Sequence, residues 1–280
     1  MLEDKKNVLV YGYGNPGRQD DGIGPALVVE IDRLGLSFVD TDSGYQLNIE
    51  DAELIKRYDL VIFLDTTVED VKSFRVKKVE PLAKIGFTTH QVNPESIAFL
   101  CRELFGRSPS IWLIGVRGYS FNYIEGFSEK ARNNYLSALD FLKLILRLYE
   151  ERKMAERSQK TILIVDDDAD IRASMRIVLE AAGFSVGEAG DAEEGLKVAE
   201  KVKPDAIIVD LMMETVDAGS KLSTQLKNSG YKGPIYLLSV AGDAVRYNID
   251  AKELGLAGIF QKPINHELLI TTLKTKLKVE

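Results

Sequence analysis

Charged and hydroxylic side chains recur in this sequence just after short apolar runs, the position from which an open α/β sheet presents its chemistry. In the C-terminal part, Asp166 and Asp167 follow the run 162–165, Asp210 follows 206–209, Ser239 follows 235–238, and Lys262 lies just beyond 258–260. An acidic pair can hold Mg2+, and a third carboxylate beside it can attack a phosphoryl group. A hydroxyl and an ammonium can then take the phosphoryl oxygens. Lys262 alone would read as a surface lysine, but its place before Pro263 at the end of an apolar run argues against that.

The N-terminal part repeats the arrangement with different donors. Asp21 stands in a loop after the apolar run 7–13, Asp65 follows 60–64, and His90 lies in the polar stretch Thr88-Thr89-His90-Gln91 ahead of a helical pattern at 94–104. Two carboxylates and an imidazole from loops at one sheet edge suit a borderline divalent cation, with a position left for water or substrate. Each also has a plainer reading: Asp65 as a helix cap, Asp21 as a solvated loop acid, His90 as a polar residue flanking a helix.

Gly12, Gly14 and Gly17 match the glycine spacing of a dinucleotide-binding loop, with Asp40 or Asp42 at a fitting distance beyond. Against that reading, Arg18-Gln19-Asp20-Asp21 separates the glycines from the helix and puts two carboxylates where a pyrophosphate would need positive potential.

These residues need sheets to position them, and the strand and helix patterns supply two. Strands are expected at 7–13 and 60–64 with a helix at 23–34. After residue 160 they recur at 162–165, 184–186, 206–209, 235–238 and 258–260, alternating with helical patterns such as 171–182 and 192–202. The expected architecture is α/β, two three-layer αβα domains, the second a doubly wound five-stranded parallel sheet of flavodoxin-like type. Between them Ala131, Tyr135, Ala138, Leu142, Ile145 and Tyr149 make one helical stripe behind a Ser128 cap, which fades into a charged stretch. The expected division is therefore a first domain at 1–149, a charged helical linker at 150–160, and a second domain at 161–280.

With 280 residues and 45% hydrophobic content the chain can bury two ordinary cores. A formal net charge of -7 argues against a general nucleic-acid or anionic-membrane binder. The first residues contain no apolar leader and no run is long enough to span a bilayer, so a cytoplasmic protein without a membrane partner is expected. Cys101 is the single cysteine, which leaves no intrachain disulfide, and His90 and His266 are the two histidines, the latter expected at the surface.

Five separated motifs, in order, give the first domain a likeness. Gly12-Tyr13-Gly14-Asn15, Asp20-Asp21-Gly22-Ile23-Gly24, Asp65, Thr89-His90-Gln91 and Trp112-Leu113-Ile114-Gly115-Val116 together resemble the NiFe hydrogenase maturation endopeptidases over residues 7–148. The resemblance implies an enzyme that removes a short C-terminal peptide from the hydrogenase large-subunit precursor after nickel insertion. It implies Asp21, Asp65 and His90 as contacts to Ni2+ or another divalent metal; Asp20, beside Asp21, is available as a group that orients them. That metal is either resident and catalytic or the substrate's own nickel. One departure is the stretch Thr66-Thr67-Val68-Glu69-Asp70-Val71-Lys72, where the family has a Pro-Gly turn.

Val165-Asp166-Asp167-Asp168, Val209-Asp210-Leu211-Met212-Met213 and Gln261-Lys262-Pro263 resemble the receiver domain of bacterial response regulators over residues 161–278. This implies Asp210 as phosphoacceptor, Asp166 and Asp167 binding Mg2+ together with Asp210 and the Met212 carbonyl, Ser239 as switch hydroxyl, Lys262 as phosphate partner, and a sensor histidine kinase as donor. Ile259, Glu214 and Ala218 depart from the common pattern. No DNA-binding helix pair follows the receiver, so output to DNA within this chain is not expected, and a homo-oligomer is left open. A rival reading makes the first domain a non-catalytic nickel or hydrogenase sensor, and a third makes it a dinucleotide-binding regulator.

Overall fold

The computed structural model describes residues 7–82, 92–154, 160–213, 218–240 and 255–279. It divides into two units, Met1–Lys143 and Leu144–Glu280.

In the first unit, an apolar run forms the interior strand β1 (Val8–Tyr13), buried on both faces. It pairs in parallel with β2 (Val39–Gly44) and β3 (Leu60–Thr67), and β3 pairs in parallel with β5 (Ser110–Arg117). Strand β4 (Phe74–Lys78) closes the order β2-β1-β3-β5-β4 and runs antiparallel to β5. The sequence reading missed β4: it is short and carries Arg75, Lys77 and Lys78, the composition of an edge strand rather than a buried one.

Because side chains alternate along a strand, Leu9, Tyr11, Val61, Phe63 and Ile111 face one way. They form a core with Ala52 and Ile55 of α2 (Asp51–Ile55) and Ile97, Ala98 and Cys101 of α3 (Pro94–Phe105). Helix α3 starts where its sequence says it should, with the Asn93 Oδ1 accepting from Ser96 N at 2.8 Å and Pro94 in the first turn. On the other face α1 (Ile23–Asp32) buries Ile23, Leu27, Val28 and Ile31 and touches β1, β2 and β3.

Gly12, the first of the glycines that resembled a dinucleotide loop, serves this packing instead. A Cβ on Gly12 would lie 2.3 Å from the Gly24 carbonyl oxygen, and one on Gly24 would lie 2.5 Å from that of Leu64. Both are needed for α1 to lie directly against the sheet. A 3-10 turn, Gln19–Gly22, carrying Asp20 and Asp21 occupies the approach to α1.

The second unit alternates β6 (Thr161–Val165), α5 (Ala169–Ala181), β7 (Ser185–Ala189), α6 (Ala192–Val202), β8 (Ala206–Asp210), α7 (Ala218–Asn228), β9 (Ile235–Val240), β10 (Gly258–Lys262) and α8 (His266–Leu277). All pairs in the sheet are parallel, in the order β10-β9-β8-β6-β7. Leu163, Val165, Ile207, Val209, Ile235 and Leu237 meet Ala199 of α6 and Leu222 and Leu226 of α7. Helices α5 and α8 touch each other.

Helix α4 (Glu129–Met154) begins after Ser128 and buries Ala131, Ala138, Leu142 and Ile145 of the anticipated stripe. The division between the units falls inside it, after Lys143. Of the stretch read as a linker, residues 150–154 are helical, Lys160 is described, and 155–159 lie outside the described residues.

His266, expected at the surface, is half-buried in the first turn of α8, and burial pulls its imidazole down to about 4. With a folded pKa below the unfolded value of about 6.5, its contribution to stability is lost as pH falls between those limits, because the unfolded chain takes up the proton first. The loss at about pH 5 is on the order of 2 kcal/mol. Buried carboxyls titrate in the opposite sense, so the measurement is a difference. Comparing urea unfolding of wild type and His266→Gln, the wild type should lose about 2 kcal/mol more between about pH 7 and pH 5. Parallel pH curves would contradict it.

Candidate functional site

In the second unit the strand ends bring the chemistry together. Asp166 follows β6, Asp210 ends β8, Ser239 lies near the end of β9 and Lys262 ends β10, all at the C-terminal edge of the sheet. Asp166 has no exposed surface and Asp210 is 5% exposed. The Lys262 Nζ lies 2.9 Å from Asp166 Oδ2 and 2.9 Å from Asp210 Oδ2, a single ammonium bridging two buried carboxylates. Asp167 is exposed beside them, and oxygens of Asp166, Asp167 and Asp210 all lie within 4.8 Å of one another.

Burial pushes the Asp166 carboxyl up to about 6 despite the hydrogen bond from Lys262, with the charge of Asp210 adding to the rise. Asp210 is raised by the same burial. For Lys262 burial alone would lower the ammonium, but its hydrogen bonds to Asp210 and Asp166 outweigh that and hold it above its ordinary value. The arrangement is thus a charged cluster short of positive charge. Three convergent hard oxygen donors fit Mg2+, which would relieve that deficit.

Around the cluster the backbone is held tightly. Asp168 caps α5, accepting from Asp170 N at 2.8 Å, and its own N–H donates to Asp166 Oδ1 at 2.9 Å. The Met212 N–H donates to the Asp210 carboxylate. Ser239 is buried, with its Oγ donating to the Val240 carbonyl at 3.1 Å.

Two contributors were missed in the sequence. Arg172, on α5, donates from Nη1 to the carbonyls of Asp166 at 2.6 Å and Asp167 at 3.1 Å, and so cross-braces the acidic loop. Its only signal was a cation one helical turn after Asp168. Gly219 is the other: a Cβ there would sit 2.0 Å from the Asp210 carbonyl oxygen. Ala218 had drawn notice as a replaced glycine, whereas the close approach is at its neighbour. Gly219→Ala should therefore push α7 off the end of β8 at Asp210 and cost about 2–4 kcal/mol in urea unfolding, and a cost near zero would show that α7 moves freely. Ile259 is half-buried, and Glu214 lies outside the described residues.

In the first unit Asp21 and Asp65 come to the C-terminal edge of the other sheet. Asp21 Oδ2 accepts from Asn15 N at 3.1 Å, and Arg18 Nη1 stands 3.9 Å away. Asp65 is pushed up to about 6, first by burial and then by the charge of Asp21, against hydrogen bonds from Thr66 N and the Tyr13 hydroxyl. The two carboxylates therefore sense each other. β3 does not stop before Asp65, as the sequence suggested, but pairs with β5 as far as Thr67. His90 lies outside the described residues.

Asp20 is fully buried and accepts from Tyr119 N, Ser120 N, Ser128 N and Ser128 Oγ at 2.7–2.9 Å. Burial alone would raise its carboxyl, but these bonds bring it below its ordinary value.

The doubly wound parallel sheet thus carries three carboxylates, a hydroxyl and a bridging lysine at its C-terminal edge, side chains of the kind that can hold a divalent cation and meet a phosphoryl group. Residues 162–274 are a response regulator receiver domain, matching the model of that family. The Response regulator MprA of Mycobacterium leprae is 34% identical over 117 residues, which are 42% of this chain and 50% of that protein, and its counterpart in Mycobacterium bovis aligns to the same extent. The chain thus spans about half the length of the curated relatives it matches. Among solved structures, chemotaxis protein CheY4 of Vibrio cholerae is 32% identical, covering 42% of this chain and 99% of that one, with a TM-score of 0.39. Among the described residues no helix is long and apolar enough to cross a membrane.

Proposed function

We propose that this chain joins a phosphorylatable receiver to a metal-dependent endopeptidase that trims the C-terminus of a NiFe hydrogenase large-subunit precursor, and that phosphorylation of Asp210 alters the endopeptidase.

The observation that carries the receiver half is the Lys262 ammonium, 2.9 Å from both Asp166 and Asp210, in a cluster of three carboxylates. An Asp210 oxygen bonds to the phosphorus of a phosphohistidine on a sensor kinase, and the imidazole departs with the electron pair of its own bond to phosphorus. Asp166, Asp167, Asp210 and the Met212 carbonyl would hold Mg2+, which would supply charge neutralisation at the phosphoryl oxygens. Lys262 pairs with one of those oxygens, and the Ser239 hydroxyl exchanges the Val240 carbonyl for another. The modification adds about two negative charges at this edge.

The endopeptidase half is supported by the five ordered motifs and by Asp21 and Asp65 standing close enough at one sheet edge for the charge of one to raise the other. Asp21, Asp65 and His90 are the ligands in this reading, for a resident divalent metal that would polarise a scissile carbonyl or for the substrate's own nickel. α4, which both units share, is the element through which the receiver would act. A cytoplasmic protein with a kinase partner and no nucleic-acid partner completes the reading, the last resting on the net charge of -7.

The test is the intact mass of a nickel-loaded large-subunit precursor after incubation with this protein, with and without prior phosphorylation, and with His90→Ala as control. Loss of a C-terminal peptide with wild type alone supports the endopeptidase, and a rate that changes on phosphorylation supports receiver control. Equal rates and equal oligomeric state in both forms would refute that control. The continuation of β3 to Thr67, where the family turns, favours keeping the sensor as a second reading. A stable complex with the precursor and no cleavage would select it.

A further inference from the structure

Asp20 belongs to neither ligand set, yet it is the most heavily bonded carboxylate of the first unit among the described residues. Oδ2 accepts from Tyr119 N at 2.8 Å, Ser120 N at 2.9 Å and Ser128 Oγ at 2.7 Å, and Oδ1 accepts from Ser128 N at 2.7 Å. Its main chain is tied as well: the carbonyl accepts from Thr66 Oγ1 at 2.6 Å, and the N–H donates to Ser120 O at 3.1 Å.

These bonds join three segments. The 3-10 turn carries Asp21 next to Asp20, β3 carries Asp65 next to Thr66, and the loop from Gly118 to Ser128 closes over both. The closure is tight, since a Cβ on Gly118 would lie 2.6 Å from Thr66 Cγ2 and 3.0 Å from Asp20 Cβ. Gln19 N also donates to Ile124 O at 2.9 Å, which fixes the middle of the loop to the same turn.

We infer that Asp20 is a positioning residue: its carboxylate, gripped by the loop between β5 and α4, and its carbonyl, gripped by Thr66, set the spacing of Asp21 and Asp65. The inference rests on the reading of Asp21 and Asp65 as cation ligands and extends it. Like charges at one edge repel, and main-chain ties between the segments that carry them oppose their separation. A carboxylate suits position 20 because all four groups facing it are donors. An asparagine there has one accepting oxygen, and even with that oxygen in the Oδ2 position its own N–H groups would confront the Ser128 N–H.

Binding of Ni2+ to the full chain is measured by isothermal titration calorimetry in excess Mg2+, so that the receiver carboxylates are already occupied. Asp65→Asn serves as the ligand control. Asp20→Asn should weaken Kd by about 10–100-fold, the range typical for partners that orient metal ligands, while Ser128→Ala, which removes one donor of four, should weaken it only several-fold. Val39→Ala, at the opposite end of the sheet, is a destabilised control that should keep the wild-type Kd. If Asp20→Asn lowers the melting temperature as Val39→Ala does and binds Ni2+ like wild type while Asp65→Asn does not, Asp20 is only structural and the inference is overturned. If wild type and Asp65→Asn bind alike, or neither binds, the cation reading itself fails and takes the inference with it.

Discussion

Asp210→Asn should lower phosphoryl incorporation from acetyl phosphate by at least about 100-fold, read as the loss of the phosphorylated species in the intact mass with Mg2+ present. The expectation follows from position and from chemistry. Asp210 ends β8 with its carboxylate 2.9 Å from the Lys262 ammonium and within 4.8 Å of an oxygen of the exposed Asp167. A neutral carboxamide in the same space offers phosphorus no anionic oxygen. The substitution is nearly isosteric and removes one of two buried charges that a single lysine serves, so the fold should be kept. A variant that still takes up one phosphoryl group would place the acceptor elsewhere.

Lys262→Met should destabilise the second unit by about 3 kcal/mol near neutral pH without Mg2+, because it leaves Asp166 and Asp210 buried without their shared counter-charge. Protonation of one carboxyl limits the cost. The folded carboxyl pKa in the variant would lie well above the unfolded value, so its stability is greatest at low pH and is lost as pH rises through the folded pKa. The gap from wild type should accordingly narrow toward about pH 4. Mg2+ should also narrow it, since a cation that binds only the folded state stabilises in proportion to the logarithm of its concentration. Urea unfolding with and without Mg2+ measures both effects. A variant as stable as wild type in the absence of Mg2+ would mean that the two acids are not charged in the fold.

These expectations were accessible at different levels. That Asp166, Asp210 and Lys262 share one edge could be read from strand periodicity, because in a parallel sheet every strand delivers its C-terminal residue to the same side. That one ammonium serves two acids could not, because it depends on the spacing of β6, β8 and β10. Likewise Asp20 read as an orienting acid from its place beside Asp21, while its four donors lie about a hundred residues away in the chain.

What the sequence by itself determined was the alternation of strands and helices, the two-sheet architecture and the strand-end residues of the receiver, since apolar periodicity and capping residues act over a few positions. Only the tertiary structure decided that β4 runs antiparallel at an edge, that Gly12 and Gly24 let α1 lie against the sheet, that His266 is half-buried, and that the two units divide within α4. Each of these depends on which surfaces meet, and such meetings are set by packing between segments far apart in the chain, where no local pattern records them.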